Sequence, residues 1–456
     1  MSSVDIRPLS MTGSEPAGFK GLLGWTMFDW ANQPFFTVIT TFIFAPYFAA
    51  EMIADPVQGQ AYWGYIQATA GFLIAILSPV FGAMADAGGP RKPWIGTFQA
   101  LTVIGCILLW WALPDASGSL VLLIAFAMVI ATVGAEFSVV FNNAMLPSLV
   151  TAERIGRMSG IGWGMGYLGG LVALVLVAIV LPDSGLFDKE AHEHNRMVGP
   201  FSALWLIVFV LPMFLYTPDR ESRRIPLTTA ARDGLAQLGA TLRELRRYRN
   251  IVRYLIARML YNDGILAVIG FSGIYAKGVF GWSTFELGLF GIIITAIAIV
   301  GCLIGGWLDD RLGSKRTIQM AVILLTVATL GVISIGRDSV LFGIPMPAGE
   351  ASGFLQTPAQ IVFMLFGLLM GLGFGPAQAA SRTMMARMAP PDLMTEFFGL
   401  FALSGKATAF LAPFLIGLVT QSYDSQRAGL VVVIAFFVLG YFLLLPVREQ
   451  QEKPDG

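Results

Sequence analysis

The stretch of sequence that decides the fold occurs twice. The first copy reads Gly82-x-x-x-Asp86-x-x-Gly89-x-Arg91-Lys92, and the second reads Gly306-x-x-x-Asp310-Arg311-x-Gly313-x-Lys315-Arg316. Glycine, aspartate and glycine coincide at a constant offset of 224 residues between the copies. A repeat at this distance indicates that the two halves of the chain are related.

The residue types in this repeat suit a contact that holds two helices together and can break. A glycine lets a second helix approach closely because it has no side chain. The aspartate can accept hydrogen bonds from a neighbouring helix N-terminus and pair with a cation, while the basic pair lies among lipid headgroups. We therefore predict a latch that gates one mouth of the molecule. Its residues are Gly82, Asp86, Gly89, Arg91, Gly306, Asp310, Arg311 and Gly313.

The composition excludes a soluble protein of this length. Hydrophobic residues make up 56% of the 456 residues and charged residues 13%, and the mean hydropathy is +0.71. Soluble domains contain about 25% charged residues, so the few charges here leave much of the surface to face lipid. The formal net charge is zero, which gives no indication of nucleic-acid binding, and we expect none.

Charge-poor runs long enough to cross a bilayer recur along the chain. We place twelve, near 22–50, 62–85, 93–113, 120–146, 157–181, 200–216, 251–276, 284–308, 317–335, 358–380, 397–422 and 428–446. An even number puts both termini on one side. The flanking Lys and Arg residues divide 22 to 5 in favour of the side of the tails. By the positive-inside rule both termini are cytoplasmic, and we expect a cell (inner) membrane.

These runs predict an all-α membrane protein of twelve transmembrane helices in two pseudo-symmetric six-helix bundles. The predicted parts are a tail at 1–19, a bundle at 20–216, a linker at 217–250, a second bundle at 251–446 and a tail at 447–456. The linker carries leucines at a three–four spacing with arginines between them, namely Leu235, Leu238, Leu242 and Leu245. This spacing predicts an amphipathic helix on the inner leaflet or the bundle; the alternative is a solvated tether.

Other motifs add to the repeated loop. They are Phe28-Asp29-Trp30-Ala31-Asn32, Glu153-x-x-x-Arg157-x-Ser159-Gly160, Tyr261-Asn262-Asp263-Gly264, Gln378-x-x-Ser381-Arg382, Glu396-Phe397-Phe398-Gly399 and Ser404-Gly405-Lys406. The loop is similar to that of the major facilitator superfamily, and the whole set resembles the family of the autophagy-related vacuolar amino-acid effluxer and its bacterial relatives. The resemblance implies the major facilitator fold and export of amino acids. Gln33-Pro34 departs from the family pattern, which has a small Ser-Ala pair there.

Ionisable side chains inside a bilayer are costly and need a reason. Asp29 in the first run and Glu136 in the fourth both lie in the cytoplasmic third, and the resemblance implies that these runs line a central cavity. A carboxylate there can take up a proton when desolvation favours its neutral form. The alternative is a static network in which both acids bond to Asn32 and other neighbours. Asp263 in the seventh run completes the candidates for proton coupling.

Burying a lysine or arginine in the membrane costs free energy unless the cation pairs with an acid or binds an anion. We expect Lys406 to pair with Asp263, and the alternative partner for Lys406 or Arg258 is a substrate carboxylate. The predicted substrate-binding residues are Asn32, Trp163, Tyr167, Arg258, Asn262, Gln378 and Lys406.

A glycine string resembles a dinucleotide-binding motif, and a histidine pair resembles a metal site. The glycines of the fifth run, Gly160 to Gly170, contain a Gly-x-Gly-x-x-Gly string, which binds dinucleotides only after a strand; inside a membrane helix it indicates close packing. His192 and His194 stand near acidic residues, but a wet loop favours solvated side chains over a metal site. No catalytic motif is present, so we expect no enzyme, no cofactor and no metal.

The sequence thus predicts a secondary transporter that works by alternating access on an ion gradient. Its expected partners are a small-molecule substrate, protons and the lipid bilayer, and we expect a monomer. The favoured substrate is a neutral amino acid moved outward with proton coupling. The alternatives are an importer or uniporter of another small polar solute, such as a sugar, betaine or peptide, and a non-transporting receptor or scaffold.

Overall fold

The computed structural model describes residues 9–53, 55–181, 185, 187–188, 191–221, 226–243, 247–337, 339–346 and 353–449. Most of these residues are α-helical. The α-helices are Phe19–Pro34, Phe44–Tyr47, Pro56–Gly88, Lys92–Leu108, Ser119–Leu149, Ile155–Val175, Glu193–Arg196, Val198–Tyr216, Leu227–Arg243, Arg249–Phe280, Thr284–Leu312, Ser314–Ile333, Pro358–Met388, Met394–Lys406, Leu411–Tyr423 and Gln426–Leu444. A two-residue antiparallel ribbon pairs Ser339–Val340 with Ile344–Pro345.

Twelve helical spans in the described part of the chain are long and apolar enough to cross a membrane, which confirms the predicted fold class. In chain order, spans 1 to 12 are Phe19–Met52, Gln58–Gly88, Lys92–Trp111, Ser119–Leu149, Ile155–Val180, Glu193–Tyr216, Arg249–Phe280, Phe285–Leu312, Ser314–Ile333, Pro358–Met388, Pro391–Tyr423 and Gln426–Leu444. Local chemistry fixes their ends. Ser283 and Glu286 form a capping box at the start of span 8, and Gly313 ends it at a φ of +88°, where a side chain would be strained.

Span 1 departs from the uniform helix that its hydropathy predicts. After Pro34 the backbone is π-helical over Phe35–Phe42 and again over Phe48–Met52. Proline has no N–H for the carbonyl four residues before it, so the Trp30 carbonyl loses its helical partner. The Trp205 indole Nε1 donates to that carbonyl at 3.2 Å, and the two tryptophan rings stack at 5.6 Å.

The contacts divide the chain into two units. Unit 1 comprises Met1–Ile155, Met165–Glu244 and Ala389–Leu403, and unit 2 comprises Gly156–Gly164, Leu245–Met388 and Ser404–Gly456. Spans 5 and 11 therefore contribute residues to both. In unit 1, spans 3 and 4 and spans 1 and 6 pack most extensively; in unit 2 the main pairs are 8 with 10, 9 with 10, and 7 with 12. The bundle and tail bounds drawn from the sequence remain a prediction.

A helix, Leu227–Arg243, lies in the predicted linker and packs on span 2 within unit 1. We call it the linker helix. Its buried residues are Ala230, Gly234, Leu238 and Thr241. Leu235, which the leucine spacing puts on the apolar face, is half exposed, because the small residues at positions 230 and 234 are the ones that let the helix approach span 2. Leu245 and the Leu242 side chain lie outside the described residues.

Candidate functional site

In unit 1, Asp86 binds the start of the helix Met394–Lys406. Its Oδ2 accepts hydrogen bonds from the backbone N–H groups of Thr395 at 2.7 Å and Glu396 at 2.9 Å. Its Oδ1 accepts from the Thr395 hydroxyl at 2.7 Å. A helix N-terminus favours a negative charge. These are the contacts that the motif chemistry predicts, whereas the role of Asp86 as a gate remains a prediction.

Glycine makes this contact possible. A Cβ added at Gly82 would lie 2.5 Å from the Thr395 carbonyl oxygen and 2.9 Å from the Glu396 Cα. Real Cβ atoms essentially never come so close to backbone. Span 2 and the start of span 11 can therefore meet here only through a residue without a side chain. Gly89, at a φ of +101°, supplies the turn that follows.

Arg91 is the cation of this group. It is buried; its Nη2 lies 3.3 Å from Asp86 Oδ1, and its Nε donates to the Thr395 hydroxyl at 2.8 Å. Burial lowers the pKa of Arg91 to about 10, while the charge of Asp86 acts in the opposite direction. The guanidinium is therefore charged at neutral pH. Arg220 adds a second, more distant cation at 3.8 Å from Asp86.

Unit 2 holds the second copy. Asp310 Oδ1 accepts from the Gly156 N–H at 2.8 Å, and its Oδ2 lies 3.3 Å from Arg157 Nε. A Cβ added at Gly306 would lie 2.7 Å from the Gly156 carbonyl oxygen. The start of span 5 thus meets span 8 in unit 2 as the start of span 11 meets span 2 in unit 1. Arg311 lies outside this contact, because its guanidinium stacks on the Trp307 ring at 4.0 Å.

A second duplicated contact was missed from the sequence. Asp219 accepts from the N–H groups of Arg91 and Lys92 at the start of span 3, at 2.8 to 3.0 Å. Glu449 accepts from the N–H groups of Ser314 and Lys315 at the start of span 9, at 2.8 and 3.2 Å. The lysines of the basic pairs also correspond, as their Nζ atoms donate to the carbonyls of Phe214 and Leu445. In the sequence the two lysines are one position out of step with the repeat, since Lys92 aligns with Arg316, and the presence of a basic pair was the only sign of this contact.

The second half carries an additional ion pair. Arg387 Nη1 lies 2.9 Å from Asp309 Oδ1 and also contacts Glu449. Asp309 accepts from the Ser314 hydroxyl at 3.0 Å. Of the adjacent aspartates in the second copy, Asp310 therefore takes the place of Asp86, and Asp309 belongs to the group around Glu449.

Unit 2 also contains a buried polar cluster built from spans 7, 10 and 11. Arg258 Nη1 donates to the Ser404 hydroxyl at 2.7 Å. Gln378 Nε2 donates to Asn262 Oδ1 at 3.3 Å. The hydroxyls of Tyr254 and Tyr261 bond the Ser381 carbonyl and hydroxyl at 2.6 and 2.7 Å. The structure thus brings together Arg258, Asn262 and Gln378, three of the residues predicted to bind substrate.

The helix of span 11 breaks beside this cluster. It stops at Lys406 and resumes at Leu411, with turns between them. Pro413 has no N–H to offer the Ala409 carbonyl, which explains why the helical ladder fails here although the hydropathy is continuous. Interrupted membrane helices that expose backbone next to a cavity are common at transporter binding sites.

Asp263 faces this break. It is 1% exposed, and the groups that act on its carboxyl are the Thr408 hydroxyl in the break and the Arg258 guanidinium. The charged group that acts on Asp263 is Arg258, five residues earlier in span 7, and the expected pairing of Asp263 with Lys406 remains a prediction. Lys406 itself is half-buried at the last position before the break.

Unit 1 holds a second buried polar cluster, between spans 1, 3 and 4. Gln99 Nε2 lies 3.5 Å from Asn32 Oδ1, and the Trp25 indole donates to the Asn142 carbonyl at 2.9 Å. Within the described residues, the side-chain amide of Asn142, Asn32 Nδ2 and Gln99 Oε1 have no hydrogen-bond partner. Buried amides normally use these groups, so both the Asn32–Gln99 pair and Asn142 keep unused hydrogen-bonding capacity. Asp29 and Glu136 are half-buried in spans 1 and 4 and have partners of their own.

Span 5 packs through its glycines. In unit 1 a Cβ added at Gly169 would lie 2.6 Å from the Trp30 carbonyl oxygen, and Gly166 faces Asp29. In unit 2 a Cβ added at Gly160 would lie 3.0 Å from the Gly306 Cα. The glycine string is thus a packing surface within a helix. Tyr167 is buried, and Trp163 lies beneath the Arg382 guanidinium at 5.7 Å.

The chain matches the family described as vacuole effluxer Atg22 like over residues 50–456. It belongs to this family. An uncharacterized MFS-type transporter of Bacillus subtilis, YxiO, is 26% identical over 93% of this chain and 94% of its own length. Autophagy-related protein 22-1 of Aspergillus niger is 25% identical over 66% of this chain. That alignment covers 48% of the fungal protein, so the chain spans about half the length of such relatives.

Solved structures agree on the fold. The proton:xylose symporter XylE has a TM-score of 0.72 at 12% identity over 95% of this chain and 97% of its own. The transporter FucP has a TM-score of 0.65 at 14% identity, with coverages of 94% and 98%. The family match and the MFS-type relative make this member of the Atg22-like family a major facilitator-type transporter, and its twelve apolar spans make it a multi-pass membrane protein. Its homologues are transporters rather than enzymes.

The histidine loop of this Atg22-like protein gives no support to a metal site. His192 Nε2 lies 3.9 Å from a Glu51 carboxylate oxygen, and its ring packs on Tyr47. No group of three metal-binding side chains occurs among the residues that the structure describes. Glu190, which the sequence pattern includes, lies outside them.

Proposed function

We propose that this protein exports a small zwitterionic solute, most simply a neutral amino acid, and couples its movement to protons. The observation that carries the proposal is the break in span 11, which lies beside a buried acid and a buried base. Asp263 suits an ammonium group and Arg258 a carboxylate, and the backbone at positions 407–410 forms turns instead of a continuous α-helix. The Atg22-like family, whose description names an effluxer, supports this direction.

Asp263 is also our first candidate for the proton site, together with Asp29 and Glu136. An acid next to the substrate site can couple proton binding to substrate binding. Protonation changes the charge that the substrate encounters, and the bound substrate changes the proton affinity of the acid. Asn262, Gln378, Trp163, Tyr167 and Lys406 complete the proposed binding residues.

We place both termini, the Asp86 and Asp310 contacts and the linker on the cytoplasmic side, since Lys and Arg concentrate there. In this orientation the two latches close the cytoplasmic mouth in one state of an alternating-access cycle. We further propose that the protein works as a monomer in a bacterial inner membrane.

Flux of radiolabelled neutral amino acids in proteoliposomes, with and without a pH gradient, tests the proposal. We expect gradient-driven flux that Asp263→Asn uncouples from the gradient and Arg258→Gln abolishes. The control is Asp233→Asn, which removes an exposed acid of the linker helix. A protein that moves other solutes but no amino acid would contradict the substrate, and Asp263→Asn with intact coupling would contradict the site.

A second substrate class has its own support. The amides of Asn32, Gln99 and Asn142 in unit 1 have unused hydrogen-bonding groups, which suit the hydroxyls of an uncharged solute such as a sugar. The same vesicles loaded with sugars decide this alternative: sugar flux that Asn142→Ala lowers and Arg258→Gln spares would favour it.

A further inference from the structure

The structure contains a buried acid that the proposed transport site does not use. Glu396, in the first turn of the helix Met394–Lys406, is 0% exposed. Its backbone N–H donates to Asp86. Within the described part of the chain, neither oxygen of its carboxyl group has a partner in full hydrogen-bond geometry, and the donor that acts on it is the Thr241 hydroxyl.

The cations nearby serve the other acid. Arg91 lies 3.3 Å and Arg220 3.8 Å from Asp86 Oδ1, and no ion pair joins either of them to Glu396 among the described contacts. Asp86 is also the charged neighbour that acts on the Glu396 carboxyl, and it acts unfavourably on an ionised form. Arg91 and Arg220 therefore neutralise Asp86, and the neighbouring Glu396 carboxyl has no ion-pair partner among the described contacts.

The linker helix reaches this carboxyl group through Thr241. The helix packs on span 2 through Ala230, Gly234, Leu238 and Thr241, and a Cβ added at Gly234 would lie 2.7 Å from the Met84 backbone nitrogen. None of these four residues is titratable. The Thr241 hydroxyl is the polar group that the linker helix turns towards Glu396.

An ionised carboxylate without a cation, and with one hydroxyl as its neighbouring donor, is expensive to bury. Neutral Glu396 can stay beneath the linker helix, whereas ionised Glu396 needs water, and water can reach it only when the helix moves away from span 2. Docking of the linker helix therefore favours protonated Glu396, and protonation of Glu396 favours docking, because the docked state buries the carboxyl group.

We propose that Glu396 is a proton-binding site that controls docking of the linker helix on span 2. One proton is bound as the helix docks and is released as it leaves. Low pH on this side favours the docked helix, in which the start of span 11 stays bound to Asp86, and high pH favours release. The proposal concerns the helix and not the substrate, so it stands or falls independently of the transported solute.

Thiol accessibility in the full-length protein in detergent tests the proposal, because both faces are then open to one buffer. Ala230→Cys reports the docked face, where Ala230 is 3% exposed, and Ala236→Cys, at an exposed position of the same helix, is the matched control. The measured quantity is the ratio of their modification rates, which cancels the effect of pH on thiol reactivity. Leu238→Cys serves as a second buried reporter.

We expect the ratio to rise with pH by up to about tenfold per pH unit through the transition, as release of one proton requires. Glu396→Gln, which imitates the protonated acid, should keep the ratio low at every pH. Thr241→Val leaves the acid in place and should move the transition without removing it. A ratio independent of pH in the parent, or a transition that survives Glu396→Gln and disappears with Asp86→Asn, would overturn the proposal.

Discussion

Asp219 and Glu449 cap equivalent helix N-termini in the two halves of the chain. Each follows the last span of its half and accepts two backbone N–H groups at the start of the third span. A lysine beside each acid donates to a carbonyl at or just after the end of the last span. Their sequence contexts, Thr217-Pro218-Asp219 and Val447-Arg448-Glu449, share no pattern. The equivalence is therefore one of position and charge at a helix N-terminus.

The two caps should differ in how much they stabilise the protein. Replacing Asp219 by Asn should cost about 1 kcal/mol, the usual value of a charge at a helix start. Glu449→Gln should cost more, because Arg387 then loses one of its two acids. Unfolding in detergent measures both against Glu221→Gln, an exposed acid of the linker. If Asp219→Asn and Glu449→Gln lower the free energy of unfolding equally, the ion pair between Arg387 and Glu449 does not stabilise the protein.

Alanine at the latch glycines should separate the helices that meet there. Gly82→Ala puts a Cβ against the Thr395 backbone and Gly306→Ala puts one against Gly156, and neither backbone can yield as a flexible side chain would. We expect each to cost about 1 to 3 kcal/mol and to reduce flux strongly. Gly71→Ala, where a Cβ meets nothing within 4 Å, is the control and should retain both stability and flux.

The buried pair of Asp86 and Arg91 is suited to a double-mutant cycle. Among the described residues, Arg91→Met leaves Asp86 with Arg220, at 3.8 Å, as its remaining cation, so we expect a loss of about 3 to 5 kcal/mol. In an Asp86→Asn background the same change should cost much less. The pKa of Arg91, lowered to about 10 by burial, lies below its unfolded value, so stability should stay constant through neutral pH and increase only above about pH 10. Additive losses in the cycle would refute the coupling.

A substitution that makes the helix of span 11 continuous should stabilise the protein and slow transport. Pro413→Ala restores an N–H where the Ala409 carbonyl can use it, and a helix without proline gains up to about 3 kcal/mol. We expect a higher unfolding temperature and a slower flux, because the backbone beside Asp263 becomes tied into the helix. Flux at the parent rate in a stabilised variant would mean that the break does not serve transport.

The sequence predicted features that depend on local pattern. The spans follow from runs of apolar residues, and the contacts of Asp86 and Asp310 follow from a spacing that occurs twice. What it missed depends on hydrogen bonds that hydropathy does not report. Pro34 and Pro413 each remove one donor inside a continuous apolar run, and the runs therefore looked like single helices.

Long-range contacts account for the remaining differences. Asp219 meets the start of span 3 from 127 residues away, and nothing near Asp219 signals that. The pairing of Asp263 with Lys406 rests on placing both at one depth, and it remains a prediction. Arg258, five residues before Asp263 in span 7, acts on the same carboxyl group, and the sequence pattern did not single out that influence.

The π-helical stretch after Pro34 also changes how span 1 tolerates altered length. Deleting one residue from the part of this helix before Trp30 would rotate every later side chain by about 100° relative to the residues before the deletion, and would turn the Trp30 ring away from Trp205. Within Phe35–Phe42 each turn already contains a surplus residue, so a deletion there can be absorbed by a return to ordinary α-helix. Natural variation in the length of this span should therefore collect between Phe35 and Phe42.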